Sequence, residues 1–228
     1  MQGDSPFLYK YLSLNINNLT ALNDYSLYFS NYKKLNDSFE FVYSFTKRDD
    51  ENQERRKFFN QNNNKLVEMS GVLCLTKTDP EDHDKFSSNV LMWSHYASNF
   101  KGFCIKFKAK VLDRSFSQNR DCDIFGESVS YSNNPVRINI EKGEGLTSHM
   151  FTKHEGWSYE NEFRFWSSSL GLKKFDPSCV ETFYLGGAMS APERSLLLLL
   201  IKSKYPEAVI KIVEPTLSEY HLKFTEAA

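Results

Sequence analysis

The sequence predicts an α+β fold, in which a mixed, mainly antiparallel sheet is flanked by three or four helices within a single domain, residues 1–228. Short segments rich in β-branched or aromatic residues outnumber the helical patterns. Strands and helices do not alternate regularly, which argues against a doubly wound parallel sheet. No internal repeat, Pro/Gly-rich linker or long single-sign charge block divides the chain, and this indicates one domain.

The predicted strands are short and mostly bounded by Gly, Pro, Asn or Asp. In chain order they cover residues 7–12, 27–30, 39–45, 71–76, 102–108, 127–132, 159–167, 180–185 and 208–213.

Helix signals are fewer. The clearest helix begins after Ser190, where Ser190 and Glu193 match a capping box and the following leucine run ends before Tyr205-Pro206. A second helix is predicted over 88–99, capped by Ser88. A third is predicted over 143–153. The polar stretch 47–64 is predicted to hold a short solvated helix between Asp49 and Phe59, with a mobile flap as the alternative.

Composition excludes several classes of protein. The 228 residues carry 28 Lys and Arg against 29 Asp and Glu, a formal charge of −1, whereas duplex-binding domains usually carry a basic excess. The longest aliphatic run, 196–201, is far shorter than the roughly 20 residues of a membrane span. The first residues lack a secretory pattern, and the four cysteines lack C-x-x-C spacing, so we expect a reduced, cytoplasmic protein.

Absent motifs narrow the chemistry further. The sequence has no P-loop, no G-x-G-x-x-G, no G-x-S-x-G and no H-E-x-x-H, which argues against P-loop NTPases, Rossmann enzymes, α/β-hydrolases and zincins. The nearest possible metal partner of His95 is His83 in an acidic loop, so no metal site is predicted. Aromatic residues make up 15% of the chain. They form either the core or a pocket wall for a planar ligand such as a nucleobase or nicotinamide.

The segment 157–166 is the most informative. As a strand, its period of two places Glu160, Glu162 and Arg164 on one face. Paired carboxylates raise each other's pKa if they are buried, while a guanidinium lowers it. Opposing effects on a pKa of this kind are typical of functional sites. A solvent-facing strand surface is the alternative.

Two further segments carry candidate residues. In 91–103 a helix would bring His95 and Tyr96 together beside Trp93, as an acid–base group, a ligand anchor or plain core. In 8–11 a strand would point Lys10 away from the tyrosines on either side, one of which is Tyr11. This is also the pattern of an ordinary amphipathic edge strand.

Several motifs occur together in a recognisable order: LYKY (8–11), LNDSFEF (35–41), CLT (74–76), LMWSHYASNFKGFCIKF (91–107), VSYSNNP (129–135), Lys153, WSYENEFR (157–164) and YLGGAM (184–189). With them the chain resembles the bacterial domain-of-unknown-function family 2971 over nearly its whole length. Ser38 and Leu35 depart from the family, which often has Pro and Phe there. The resemblance implies a cytosolic bacterial protein, often encoded near mobile elements and defence genes, with a possible partner protein from the same operon. It implies no reaction.

For chemistry, the order of a basic aromatic strand, an aromatic hydroxyl motif and a late E-x-E strand looks like the layout of ADP-ribosyltransferases, a fold-level analogy. The helical prediction for 91–99 counts against it, since that class has a strand there. Its implied substrate is NAD, with no metal and an unknown protein or nucleic-acid acceptor. An ionised carboxylate beside the ribose would stabilise the positive charge that develops as the N-glycosidic bond breaks.

The analogy assigns catalytic roles to three residues. Glu162 would stabilise the oxocarbenium ion and Glu160 would act as the acceptor-side base. His95 and Arg164 would either support these two carboxylates without touching the substrate or bind phosphate. The residues that would bind NAD are Lys10 at the ribose or phosphate, Tyr96 at the nicotinamide, and Tyr11, Trp93 and Arg164.

Three functions therefore stay open. The first is an NAD-dependent ADP-ribosyltransferase or NAD glycohydrolase, acting as a bacterial toxin or antiphage effector. The second is a metal-independent hydrolase or nuclease that uses His95 and Glu160 within hydrogen-bond reach. The third is a non-catalytic sensor or interaction module, expected if Glu160, Glu162 and His95 are locked in core salt bridges with no cavity beside them.

Overall fold

A computed structural model describes residues 6–78, 89–216 and 221–226. It confirms the predicted α+β class, because eight strands form a mixed, mostly antiparallel sheet accompanied by α-helices. The chain divides into two compact units. The first unit comprises Met1–Leu27, Leu75–Asn119 and Leu172–Ala228, and the second comprises Tyr28–Cys74 and Arg120–Gly171. That the chain behaves as one domain stays a prediction.

The helices and strands are numbered in chain order. The α-helices are α1 (Ile16–Asn23), α2 (Lys47–Glu51), α3 (Gln53–Met69), α4 (Val90–Tyr96), α5 (Ala109–Ser117) and α6 (Ala191–Lys204). The strands are β1 (Phe7–Leu12), β2 (Ser26–Phe29), β3 (Tyr43–Phe45), β4 (Gly71–Lys77), β5 (Phe103–Lys108), β6 (Ile124–Ser128), β7 (Ser130–Ser132), β8 (Val136–Ile138), β9 (Thr152–His154), β10 (Glu162–Ser167), β11 (Gly171–Lys174), β12 (Val180–Gly186), β13 (Val209–Pro215) and β14 (Leu222–Glu226).

In the first unit the strands follow the order β14-β13-β12-β5-β1, with the last three residues of β4 beside β1. All these pairs are antiparallel except β12 with β13. Alternation along β1 buries Tyr9 and Tyr11 and leaves Lys10 half-buried on the other face, as predicted. The unit has a core of large apolar side chains, among them Trp93, Phe103, Ile105, Phe107, Phe183 and Leu197.

Both predicted helices of the first unit are present. The capping box before α6 is confirmed, since the backbone N–H and the hydroxyl of Ser190 donate to the Glu193 carboxylate. The N-cap of α4 is Asn89, whose side chain accepts from the backbone N–H of Met92. The predicted cap, Ser88, lies outside the described residues.

The second unit holds a smaller part of the sheet and two parallel strand pairs. The first four residues of β4 precede β10 and β6 in the order β4-β10-β6, and β10 and β6 are antiparallel. The pairs β3–β8 and β7–β9 are parallel. Its core cluster consists of Phe41, Val67, Val72, Met150, Phe151 and Trp166.

Several predicted elements of the second unit were wrong in extent or type. The strand predicted over 39–45 shortens to β3. The helix predicted over 143–153 is only a 3₁₀ turn, Ser148–Phe151. The solvated helix predicted within 47–64 is instead α2 followed by the long α3, because Asn52 caps a new helix by accepting from the N–H of Arg55.

The strand predicted over 159–167 begins later. Residues Glu155–Glu160 form a 3₁₀ helix, and β10 starts only at Glu162. Between them Asn161 adopts left-handed backbone angles, φ 43° and ψ 54°, which Asn tolerates better than most residues. Glu160 is therefore not part of the strand, contrary to the predicted alternation.

Candidate functional site

Lys153 on β9 is surrounded by three carboxylates of the second unit. Its Nζ lies 2.5 Å from Oε2 of Glu160, 3.4 Å from Oε2 of Glu162 and 3.7 Å from Oε1 of Glu40. The ammonium also lies 4.7 Å from the centre of the Trp157 ring, within the range of a cation–π contact.

Arg164 on β10 completes the group. Its Nε donates to Oε1 of Glu162 at 2.7 Å and its Nη2 to Oε1 of Glu40 at 2.7 Å. A further bond from Nη2 reaches Oε2 of Glu162 at 3.1 Å, and Nη1 donates to the carbonyl of Met150. Glu162 and Arg164 thus share a face of β10, as the strand period predicted. We call Glu40, Lys153, Glu160, Glu162 and Arg164 the charge cluster.

The charge cluster is buried. Side-chain exposure is 3% for Glu162 and 1% for Arg164, and no member exceeds 5%. The predicted alternative of a solvent-facing charged strand is therefore wrong. Three carboxylates and two cations leave a formal charge of −1. Burial of this kind is tolerated only when each charge has close partners of opposite sign.

The pKa values follow from this competition between burial and neighbouring charge. Burial alone would raise the pKa of Glu162, but the Arg164 guanidinium and the Lys153 ammonium outweigh it and hold that pKa at about 2. For Glu40 burial prevails, and its pKa lies above the usual value despite Arg164. Burial lowers the pKa of Lys153, yet the surrounding carboxylates raise it above the ordinary range.

Backbone geometry assembles the cluster from distant segments. The left-handed Asn161 turns the chain between Glu160 and Glu162, so that both carboxylates reach Lys153. The backbone N–H of Glu162 donates to the Tyr131 hydroxyl at 2.7 Å, which anchors the start of β10.

Glu40 and Lys153 were not predicted as members of the site. Glu40 is separated from Arg164 by 124 residues, and in the sequence it was marked only as part of the family motif LNDSFEF (35–41), with no role attached. Its Oε2 is buried and has no hydrogen-bond partner within the described residues. Lys153 likewise belongs to the family motifs, with no predicted role. The spacing of Lys153 from the E-x-E pair was the one available signal.

A pocket of about 340 Å³ lies beside the charge cluster, in the second unit. The residues around it come from the turn before β3, the connection from β7 to β8, and β9. We call it the Lys153 pocket, and its lining consists of Phe39, Val42, Ser132, Asn133, Asn134, Pro135, Thr152, Lys153 and His154. Its volume is at the lower end of the range of small-molecule sites, roughly 300–1,000 Å³.

Four residues predicted to bind NAD, Lys10, Tyr11, Trp93 and Tyr96, belong to the first unit, whereas the charge cluster belongs to the second. Trp93 is fully buried, stacks on Phe100 at 5.3 Å between ring centres, and meets the Tyr11 ring edge-on at 5.5 Å. Tyr11 and Trp93 are thus core residues of that unit. Lys10 and Tyr96 are half-buried.

His95 is exposed on α4, with its ring 6.2 Å from that of Tyr96. Glu160, the base proposed to pair with it in a hydrolase, has its carboxylate bound to Lys153. The hydrolase hypothesis stays a prediction.

Two further findings concern metal binding and membrane insertion in the described part of the chain. There, no group of three or more His, Cys, Asp or Glu side chains is placed to hold a metal ion. His83 lies outside the described residues. No disulfide joins Cys74, Cys104, Cys122 or Cys179. Within residues 6–78, 89–216 and 221–226, no helix combines the length and apolarity that crossing a membrane requires.

Comparison with known proteins gives one match. Residues 92–165 match the family described as "Protein of unknown function (DUF2971)", which confirms the predicted resemblance over that segment. This segment contains most of α4, all of β9 and four members of the charge cluster, namely Lys153, Glu160, Glu162 and Arg164. No curated protein and no solved structure matches the chain.

Proposed function

We propose that this chain, whose residues 92–165 match that family of unknown function, is a non-catalytic module that binds a small molecule in the Lys153 pocket. One observation carries the proposal. A pocket of small-molecule size lies directly beside a buried charge cluster in which every carboxylate contacts a cation.

The occupied carboxylates favour binding over turnover. A carboxylate that stabilises a developing cation must approach the substrate, in the geometry of the transition state. Both oxygens of Glu162 already accept from Arg164, and the side chain is 3% exposed. The cluster is instead suited to hold β9 and β10 in fixed positions beside the pocket, since buried ion pairs impose specific geometry.

A fragment screen tests this proposal. The ¹⁵N-labelled chain is titrated with a library of small neutral fragments, and backbone amide shifts are followed by NMR. We expect hits whose shifts centre on residues 132–134 and 152–154. A screen in which no fragment shifts these amides overturns the proposal.

Two matched variants sharpen the screen. Val42 lines the pocket and is 42% exposed, so Val42→Trp should fill the pocket without disturbing the core and should abolish the hits. Leu170 is 41% exposed in the same unit and does not line the pocket, so Leu170→Trp should keep them. Equal loss in both variants would contradict the assignment of the site.

The NAD-dependent reaction, by an ADP-ribosyltransferase or NAD glycohydrolase acting as a toxin or antiphage effector, is the second candidate. The observation that favours it is the position of Lys153, which lines the pocket and contacts both carboxylates of the E-x-E pair. This candidate requires Glu162 to exchange its bonds to Arg164 for contact with the ribose. It predicts release of nicotinamide from NAD, and loss of that release in Glu162→Gln.

A further inference from the structure

We propose that the Lys153 pocket accepts a neutral, planar nitrogen heterocycle that carries a hydrogen-bond donor next to an acceptor, such as nicotinamide or adenine. The inference rests on the proposed binding function and names the chemical class of its ligand. It is carried by three properties of the pocket: its charge, its rings and its amides.

The charge of the lining favours a neutral ligand. No carboxylate is among the residues that line the pocket, so a cationic ligand meets no acid there. The one lysine that lines it, Lys153, has its ammonium within 3.7 Å of three carboxylates of the charge cluster. Because that charge is already offset, the lysine presents mainly its apolar stem to the pocket and attracts an anion weakly.

The rings of the lining favour a flat ligand. Phe39 is 65% exposed although it is a large apolar side chain, and its ring centre lies 6.3 Å from that of His154, with the planes 36° apart. Stacked aromatic pairs place ring centres 4.5–7 Å apart, so an exposed ring at the edge of a pocket is a stacking surface. Val42 and Pro135 add apolar walls around it.

The polar groups of the lining favour a ligand with paired donor and acceptor. The Asn134 side-chain amide has no hydrogen-bond partner among the described residues, and such an amide offers a donor and an acceptor side by side. Nδ1 of His154 accepts from the backbone N–H of Gly156, so the ring proton lies on Nε2, which is a further donor. A carboxamide or an aminopyrimidine edge matches this set.

The test compares ligands that differ in one property each. The full chain is titrated by NMR with nicotinamide and adenine. Nicotinate serves as the anionic control, 1-methylnicotinamide as the cationic control, and cyclohexanecarboxamide as the non-planar control. We expect nicotinamide or adenine to bind with a Kd on the order of 1 mM, as fits so small a ligand. We expect each control to bind at least about tenfold more weakly, a difference of about 1.4 kcal/mol.

Variants of the stacking residue give an independent readout. Phe39→Leu should raise the Kd about fivefold through lost stacking. Phe58→Leu, an equally exposed aromatic on α3 outside the lining, should leave the Kd unchanged. Fragments that bind in the pocket with no preference for planar neutral heterocycles, or an unchanged Kd in Phe39→Leu, would overturn this inference and leave the binding function standing. If no fragment binds in the pocket, both this inference and the proposed binding function are overturned.

Discussion

At the scale of single residues, Lys153 is a buried cation held by several carboxylates of the second unit. Three carboxylates lie within 4 Å of its ammonium, and its side chain is 5% exposed. Removing one partner from a buried ionic group leaves the others without compensation, which costs about 3–5 kcal/mol. Exposed pairs such as Lys33–Glu68 lack this dependence, because water screens them.

Lys153→Met should therefore destabilise the protein by about 3–5 kcal/mol, since the methionine fills a similar volume but leaves Glu40, Glu160 and Glu162 facing one another around a single arginine. Lys33→Met is the matched control and should leave the unfolding midpoint unchanged. Urea unfolding followed by circular dichroism measures both. Equal midpoints for the two variants would show that the cluster contributes nothing to stability.

His149 gives a pH dependence of known sign. Its ring is buried beside Tyr43, with ring centres 5.1 Å apart, and its Nε2 lies 3.0 Å from Oδ1 of Asn63. Burial lowers its pKa from 6.5 to about 4. A base with a depressed pKa in the folded state takes up protons more readily when unfolded, so it destabilises the fold progressively as the pH falls from 6.5 to about 4.

We expect the wild-type chain to lose up to about 3 kcal/mol of stability to this residue across that interval. In His149→Gln the loss should be smaller, while His95→Gln, a change of an exposed histidine, should keep it. Unfolding free energies measured at several pH values between 7 and 4 check the difference. The same slope in all three proteins would be inconsistent with a buried neutral His149.

At the scale of elements, the turn at Asn161 decides where the carboxylates lie. The left-handed conformation ends the 3₁₀ helix, and the N–H of Asn161 donates to the Ser158 carbonyl at 3.1 Å. A residue with a Cβ and no local polar group is penalised by roughly 1–2 kcal/mol in this conformation. The start of β10 thus depends on one residue type.

Asn161→Ala should destabilise the protein by about 1–2 kcal/mol, and Asn161→Gly should destabilise it less, because glycine adopts positive φ freely. Thermal unfolding of the two variants against wild type measures the difference. Greater stability of the alanine variant than of the glycine variant would contradict a left-handed residue at this position.

The elements that local chemistry specifies were predictable. The capping box of Ser190 and Glu193 located the start of α6, and alternation placed Lys10 opposite its buried neighbours. The start of β10 was not predictable from periodicity, because one left-handed residue interrupts a pattern that otherwise alternates. The role of Glu40 was hidden for another reason. Its contact with Arg164 spans most of the chain, and no local pattern encodes such a pairing.

At the scale of the whole molecule, the backbone passes repeatedly between the two units, since the first comprises three chain segments and the second two. Both chain ends belong to the first unit, and units connected in this way cannot be separated by a single cut. Single domains of moderate size usually unfold in one cooperative transition. If the chain is a single domain, as predicted, its two units should unfold together in one transition.

We expect one transition, seen equally from both units. Trp93 lies in the first unit and Trp157 and Trp166 in the second, so Trp93→Phe leaves fluorescence that reports on the second unit alone. The double variant Trp157→Phe and Trp166→Phe reports on the first. Each curve is compared with circular dichroism of the same variant. Two separated transitions within one variant would show that the units unfold as independent domains.

Incubation of the full chain with NAD, followed by quantification of free nicotinamide, separates binding from turnover. Because Arg164 and Lys153 occupy the carboxylates of Glu162 and Glu160, we expect no release above that of a buffer control. Release of nicotinamide by the wild-type chain, lost in a Glu162→Gln variant that still folds, would contradict a purely structural role for this carboxylate and establish the chain as an enzyme.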